Sequence, residues 1–377
     1  MGINLIHTAD WQLGRVFGSV GSDAGVLLRR QRFRTVQHIA ELASQHNVAA
    51  VLVAGDVFEA NTVSNETIHG MLQALEGYKG DWVLLPGNHD PALAESVWSR
   101  LKLLAPPPNL RIALTNEPLI LAGGRLAVLP APLLRKHEPE DITSGWDRTD
   151  TPTGAIRVGL AHGSIEGLLP GNSEAPNHIA PDREIRARLD YLALGDWHGT
   201  IGISARTWYS GTPEPDRYKA NDSGNILLVD IEQAGALPCV TPMRVANYSW
   251  HEVEFTLQSV KDVEALDVAL AALGTPFDLH IVSMKLFGSL DLNARQQLES
   301  SLARWRARFC SLLDDNTGLA AQATDADLDR IDVGGFVRNA INTLRGIHQE
   351  AGHPNQPYAA DALQLLYQIH AAGGQKQ

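Results

Sequence analysis

Cysteine is nearly missing from this chain. Its 377 residues hold only Cys239 and Cys310, far apart and without the spacing of a zinc ribbon or a disulfide framework, so both are expected to be ordinary buried thiols. Redox chemistry is therefore not where a function should be sought. A long apolar run is missing as well, so no membrane span and no membrane partner are expected. Met1-Gly2-Ile3-Asn4 leads directly into a strand-like segment without the basic region and cleavage site of an export signal, and cytoplasmic residence is the expectation. Positive charge is also in deficit. With 43 acidic against 31 basic residues the net charge is −12, which argues against a broad basic face that would hold a duplex by its phosphates. Arg29, Arg30, Arg32 and Arg34 could guide a strand, but they read better as the solvated side of a helix whose other side carries Phe33, Val36, Ile39 and Ala43.

What is present is the composition of a soluble protein with a large core: 44% hydrophobic and 20% charged residues, enough for two or three domains. Strand-like and helix-like segments alternate from the start to about residue 133, with helical patterns at 27–45, 63–75 and 93–103, which reads as βαβ layering. Later strand-like segments, at 110–114, 119–121, 125–129, 156–161, 192–194, 207–210 and 226–231, have few helices between them, so a second sheet packed on the first is expected. Segments 135–154 and 167–181 read as long loops, and the second follows His162 closely enough to border a substrate. After Ile231 the character changes. Strand patterns at 250–255 and 280–287 alternate with helical ones at 260–273 and 293–308, a small α/β module. An acidic segment at 325–332 then precedes helical stretches at 336–347 and 359–371, the first with Phe336, Ala340, Ile341 and Leu344 on one face, the second with Leu363, Leu366, Ile369 and His370. Such helices would cap the body or dock on a partner. The expected domains are 1–235, 240–318 and 320–377.

Chemistry-bearing residues recur at the ends of the apolar runs. Asp10-Trp11-Gln12 follows residues 4–9, Gly55-Asp56 follows 48–54, Gly87-Asn88-His89-Asp90 follows 82–86, His162 closes 156–161, and Gly195-Asp196-Trp197-His198 follows 191–194. The carboxyl edge of an open α/β sheet is where sites assemble, because strand ends hold side chains rigidly while the loops beyond leave room for a ligand. One such stretch alone would be only a turn. Five in succession point to a metal-assisted site.

In this order the five motifs resemble the set found in calcineurin-like metallophosphoesterases. Within that group, the stretch from His7 to Arg15, Gly55-Asp56-Val57-Phe58, Ala193-Leu194-Gly195 and Tyr209-Ser210-Gly211-Thr212-Pro213 are most similar to the SbcD-type DNA repair nucleases. The resemblance covers roughly the first 230 residues and, more loosely, the small α/β module. It implies a two-sheet β-sandwich flanked by helices, a four-layer αββα body with the smaller module as a cap and C-terminal helices. It implies two divalent cations about 3.5–4 Å apart, bridged by Asp56, with Asp10, Gln12 and His198 completing one and Asn88, His162 and Asp196 the other. His89 would stabilise the transition state or protonate the leaving oxygen, and Asp90 would orient His89 or fix the turn. The implied partners are DNA and an SbcC-like coiled-coil ATPase docked on the C-terminal helices, with a homodimer as a further assembly.

Gln12 and Asp196 stand where most members of the group carry histidine. The resulting shell, richer in oxygen, favours Mn²⁺ or Mg²⁺ over Zn²⁺. An amide oxygen also binds less tightly than imidazole, so the first cation is expected to be labile, bound through water, or absent. Glu59 stands where some members carry a histidine near the DNA end, so a preference for exonuclease cutting tied to that residue does not transfer. Other positions read plainly: His7 as core, His38, His46, His69 and His137 as surface, and Trp11 as pocket wall. Trp197 reads as wall too, with substrate stacking as its alternative, and Tyr209, Arg217 and Tyr218 are expected at the rim near substrate phosphates. A Mn²⁺-dependent DNA nuclease is the leading reading. A nucleotide or small-molecule phosphodiesterase, and a weakly active or non-catalytic subunit, are the alternatives.

Overall fold

The computed structural model describes residues 2–167, 177–321, 328, 335–350, 352–356, 358, 359, 361–363, 365 and 366. Most of the expected loop 167–181, most of the acidic segment 325–332 and part of the expected helix 359–371 lie outside the described residues. The chain divides into two units, Met1–Trp250 and His251–Gln377.

The first unit is built on two six-stranded sheets. In one, β1 (Ile3–Thr8), β2 (Ala50–Val53), β3 (Asp81–Leu84) and β4 (Leu110–Ile112) run parallel. The other contains β5 (Leu119–Leu121), β6 (Leu126–Ala131), β7 (Ile156–His162), β10 (Tyr191–Gly195), β11 (Ile201–Gly202) and β12 (Thr207–Tyr209), in the order β11-β12-β10-β7-β6-β5. Between β7 and β10 lies a two-stranded pair, β8 (Ser164–Ile165) and β9 (His178–Ile179). β13 (Asn225–Ile231) returns to the first sheet antiparallel to β1, and β14 (Cys239–Arg244) forms its edge. The expected break at 235–240 is thus corrected, because β14 belongs to the first sheet.

Period-two patterning on both faces explains the layers. Leu5, Leu52 and Val83 point toward the other sheet, where they meet Val128, Val158 and Ala193 in a dry core. Their neighbours Ile6, Val51, Val53, Trp82 and Leu84 point outward, under the helices α1 (Ser22–Gln45), α2 (Asn65–Leu75) and α3 (Val97–Leu103). Ser64 caps α2 by accepting from the Thr67 N–H at 3.2 Å. The outer face of the second sheet is covered by a 3₁₀ turn, Ser144–Arg148, whose Trp146 is buried, and by the short α4 (Arg183–Arg186).

The second unit holds a three-stranded sheet of β15 (Ser249–Leu257), β16 (His280–Leu290) and β17 (Ser311–Ala321). α5 (Val260–Ala271) and α6 (Leu292–Arg306) share a core with it that includes Leu266, Met284, Leu298 and Trp305. In the helix Phe336–Gln349, Ile341 is buried with Leu328 and Leu363. Phe336 is exposed, so the apolar face is Val337, Ile341 and Leu344, one position removed from the expected one. The cysteines also differ from expectation: Cys239 is exposed on the edge strand and Cys310 is partly so. No helix among the described residues is long and apolar enough to cross a membrane.

Candidate metal centre

β1, β2 and β3 of one sheet and β7 and β10 of the other deliver their carboxyl ends to one place. The loops after β1 and β2 are joined by backbone hydrogen bonds, from Asp10 N to Gly55 O (3.1 Å) and from Gln12 N to Asp56 O (2.9 Å). Asp10, Gln12, Asp56 and Asp196 all hold positive φ, at 53°, 43°, 51° and 102°, a conformation that costs a non-glycine residue roughly 1–3 kcal/mol. Four such residues in one spot mark a place where the scaffold fixes side-chain direction at the expense of local backbone energy. Gly87 is required for close approach, since a Cβ there would lie 2.2 Å from Asp56 Oδ1.

Asp10, Asp56 and His162 are buried and bring one ligating atom each within 4.8 Å of one another. His162 Nδ1 donates to Ala54 O at 2.8 Å, which leaves the Nε2 lone pair pointing inward, 3.6 Å from Asp56 Oδ1 and 3.8 Å from Asp196 Oδ1. That Nε2 and Asn88 Oδ1 are buried acceptors with no hydrogen-bond partner, and such atoms call for a ligand. Asn88 Nδ2 donates to Asp196 Oδ1 at 3.4 Å and Ser164 Oγ donates to Asp196 Oδ2 at 3.0 Å, so neighbours fix the carboxylate. His198 Nε2 faces Asp10 Oδ1 at 3.8 Å, while its Nδ1 lies 3.2 Å from Asp216 Oδ2. Arg217 Nη2 also lies 3.0 Å from that Nδ1, so Asp216 and Arg217 together back the ring; in the tautomer with its proton on Nδ1 toward the carboxylate, Nε2 is the inward lone pair, the usual backing of a metal-bound histidine.

Electrostatics supports a cation here. Burial pushes the Asp10 carboxyl up to about 6, against the pull of His198 and His162. Burial alone would lower His162, but Asp56, Asp10 and Asp196 outweigh it and raise the imidazole to about 9. Three carboxylates strong enough to outweigh burial make this a place that favours positive charge, and a divalent ion at the His162 lone pair supplies it. The donor set of carboxylates, imidazoles and an amide oxygen fits a divalent cation.

His89 stands at the edge of this cluster. Its N–H donates to Asp56 Oδ1 at 2.9 Å, its Nδ1 donates to Glu59 O at 3.0 Å, and its Nε2 lies 4.0 Å from Asp56 Oδ2. Asp90 does not orient it. The Asp90 carboxylate instead accepts from Gly87 N at 2.7 Å and Phe58 N at 2.9 Å, fixing the turn, and burial raises its carboxyl to about 8. Tyr209 departs furthest from expectation: it is fully buried, its hydroxyl donating to Gly163 O and accepting from Ile165 N, so it braces the loop after β7 and does not reach the rim. Arg217 is half exposed but its guanidinium grips Asp216, with Nε and Nη2 at 2.8 and 3.0 Å. Trp197 packs partly buried against the second sheet's outer core and carries Lys219 Nζ 4.4 Å above its ring. Trp11 and His7 are core.

Asp216, Ser164, Arg15 and the carbonyl of Glu59 were not among the residues expected to shape the site. Asp216 sits in the run Pro213-Glu214-Pro215-Asp216-Arg217, which carries no ligand spacing. Its burial is the only signal, and that is legible in three dimensions alone: hydrogen bonds from His198 and Arg217 overcome burial and hold its carboxyl well below the usual range.

The calcineurin-like phosphoesterase family model matches residues 3–165. The chain is 27% identical over 289 residues to the SbcD subunit of the SbcCD nuclease of Rhodobacter capsulatus, an alignment covering 64% of this chain and 69% of that protein. A solved crystal structure superposes with a TM-score of 0.41 at 12% identity, over 64% of this chain and 99% of its own.

Proposed function

We propose that this chain, whose residues 3–165 match the calcineurin-like phosphoesterase family model, is a metal-dependent phosphoester hydrolase, and more specifically a DNA nuclease working through a dinuclear Mn²⁺ centre. The observation that carries the metal centre is the pair of buried, unpartnered acceptors, His162 Nε2 and Asn88 Oδ1, beside Asp56. DNA as substrate is supported by the likeness to the SbcD subunit of the SbcCD nuclease. By the same likeness, an SbcC-like coiled-coil ATPase is the proposed partner and DNA end processing or repair the proposed role. A second copy of the chain is a further proposed partner.

Asp56, Asp10 and His198 would hold one cation, and Asp56, Asn88, His162 and Asp196 the other. Cations bound there supply water activation and neutralise charge on the phosphate. Water attacks phosphorus in line, the bond to the leaving oxygen breaks, and that oxygen takes a proton. His89 suits the proton donor's role, because its Nδ1–H is held by Glu59 O and a protonated ring then presents Nε2–H on the side facing Asp56. Oxygen-rich ligation favours Mn²⁺, with Mg²⁺ as second choice.

The test is hydrolysis of single-stranded DNA, duplex DNA and bis-p-nitrophenyl phosphate in Mn²⁺, Mg²⁺ or EDTA, beside Asp56→Ala and His89→Ala. Cleavage of DNA in Mn²⁺ that disappears in EDTA and in both variants supports the proposal. Hydrolysis of the small ester alone would assign a small-molecule phosphodiesterase, and no hydrolysis at all a non-catalytic subunit.

A further inference from the structure

The two halves of the centre are not equivalent. On the Asn88–His162 side the amide oxygen Asn88 Oδ1 and the imidazole nitrogen His162 Nε2 are buried and unengaged, while the Asp196 carboxylate accepts from Asn88 and Ser164, neutral donors that add no charge. On the other side, the sole ligating atom of the Gln12 amide, Oε1, already accepts a hydrogen bond from Arg15 Nη1 at 2.7 Å. That donor fixes which end of the amide carries oxygen, and the Nε2 end is left facing His198 Nε2 at 3.4 Å.

Arg15 is itself locked in place. Its Nη1 lies 3.3 Å from Glu59 Oε2 and its Nη2 lies 3.2 Å from Asp216 Oδ2, the same carboxylate that backs His198. A guanidinium cannot give up its charge in a protein, so it stays positive whatever the centre binds. A cation entering the Asp10 side therefore meets a fixed positive charge behind Gln12 and an amide that turns its donor end toward His198.

We infer that Gln12 is a hydrogen-bond partner held by Arg15 and not a cation ligand, so the centre fills unequally: one cation binds tightly between Asp56 and His162, the other weakly between Asp10 and His198. This rests on the dinuclear reading above. Arg15 is a positioning residue that keeps the weak site short of one protein ligand and leaves more of that cation's coordination open to a phosphate oxygen of the substrate.

Equilibrium dialysis against Mn²⁺, with bound metal counted by mass spectrometry and exchange coupling followed by electron paramagnetic resonance, tests this on the full chain. Wild type is expected to bind its second Mn²⁺ at least about tenfold more weakly than its first, the scale of effect that groups behind the ligands exert on metal affinity. Gln12→Ala is expected to leave both affinities unchanged, while Gln12→His and Arg15→Met tighten the second site. Two equally tight sites in wild type, or a second affinity that drops about tenfold in Gln12→Ala, overturns the inference. Should Arg15→Met fail to fold, the Gln12→Ala isotherm decides. Failure of wild type to bind any Mn²⁺ brings down the dinuclear reading itself, an outcome distinct from the other two.

Discussion

His7 shows how one residue just behind the centre sets the behaviour of the fold. It is completely buried on β1, with Nε2–H donating to Leu194 O at 3.1 Å and Nδ1 accepting from the Tyr191 hydroxyl at 2.9 Å, so it ties the two sheets together in its neutral form. Burial, partly opposed by the bond to Leu194, lowers its folded-state value to about 3. The unfolded chain takes up this proton near pH 6.5, so the contribution of His7 is complete above that pH. It is lost as pH falls from 6.5 toward 3, at up to about 1.4 kcal/mol per pH unit. Urea midpoints of wild type should therefore fall more steeply across this window than those of His7→Gln, and equal slopes would contradict the assignment. Asp90 gives a second residue-scale prediction. Asp90→Asn turns a donor toward one of the two N–H groups that the carboxylate accepts, which should cost about 1–3 kcal/mol of stability while His89, held by Glu59 O, keeps its place. Denaturation and kcat measured together check this, and a large kcat loss at full stability would restore a direct role for Asp90. Residues such as Asp10, Asp56 and His162 were legible because each follows an apolar run that can only be a strand. Asp216 and Arg15 were not, because their importance lies in which side chains they meet across long sequence separations.

At the scale of elements, the loops around the centre are pinned. Arg183 is buried on α4 and donates to Asp147 Oδ1 at 2.7 Å and to Asp141 Oδ2 at 2.5 Å, while Asn177 Oδ1 accepts from Glu138 N at 2.7 Å. The expected loop at 135–154 is thus fastened to the segment that follows His162, with Trp146 as its plug against Pro130 O. Arg183→Ala takes the guanidinium from Asp147 and from Asp141, which keeps Thr143 and Ala180 as donors, and should cost about 2–3 kcal/mol. Chemical denaturation would show the loss, and faster proteolytic cleavage within 135–150 should accompany it. An unchanged midpoint would mean that the clamp is not needed. Strands with unbroken apolar runs were legible from pattern alone. β17 was not, since its run Ser311-Leu312-Leu313-Asp314-Asp315-Asn316-Thr317-Gly318 mixes charge and turn formers, and only pairing with β16 makes it a strand. The turn at 144–148 escaped for a related reason: a single buried Trp146 anchors it, with no periodicity to announce it.

For the whole molecule the governing quantity is charge. A chain of net charge −12 gathers several of its carboxylates where strands of its two sheets end, so cation binding should stabilise the fold as well as enable chemistry. At a free Mn²⁺ concentration of 100 times Kd the gain is about 2.7 kcal/mol, seen as a rise in Tm that EDTA reverses. The same acidity predicts weak DNA binding by the isolated chain at physiological salt, with affinity supplied by the proposed ATPase partner; tight binding alone would count against that division of labour.

The claim on which the rest depends is that the strand ends around Asp56 form a cation centre. Crystals soaked in Mn²⁺ and measured at the manganese absorption edge test it most directly. An anomalous peak within coordination distance of Asp56, His162 Nε2 and Asn88 Oδ1 is the predicted result, and no peak at those three atoms, with manganese bound elsewhere or nowhere, would contradict it.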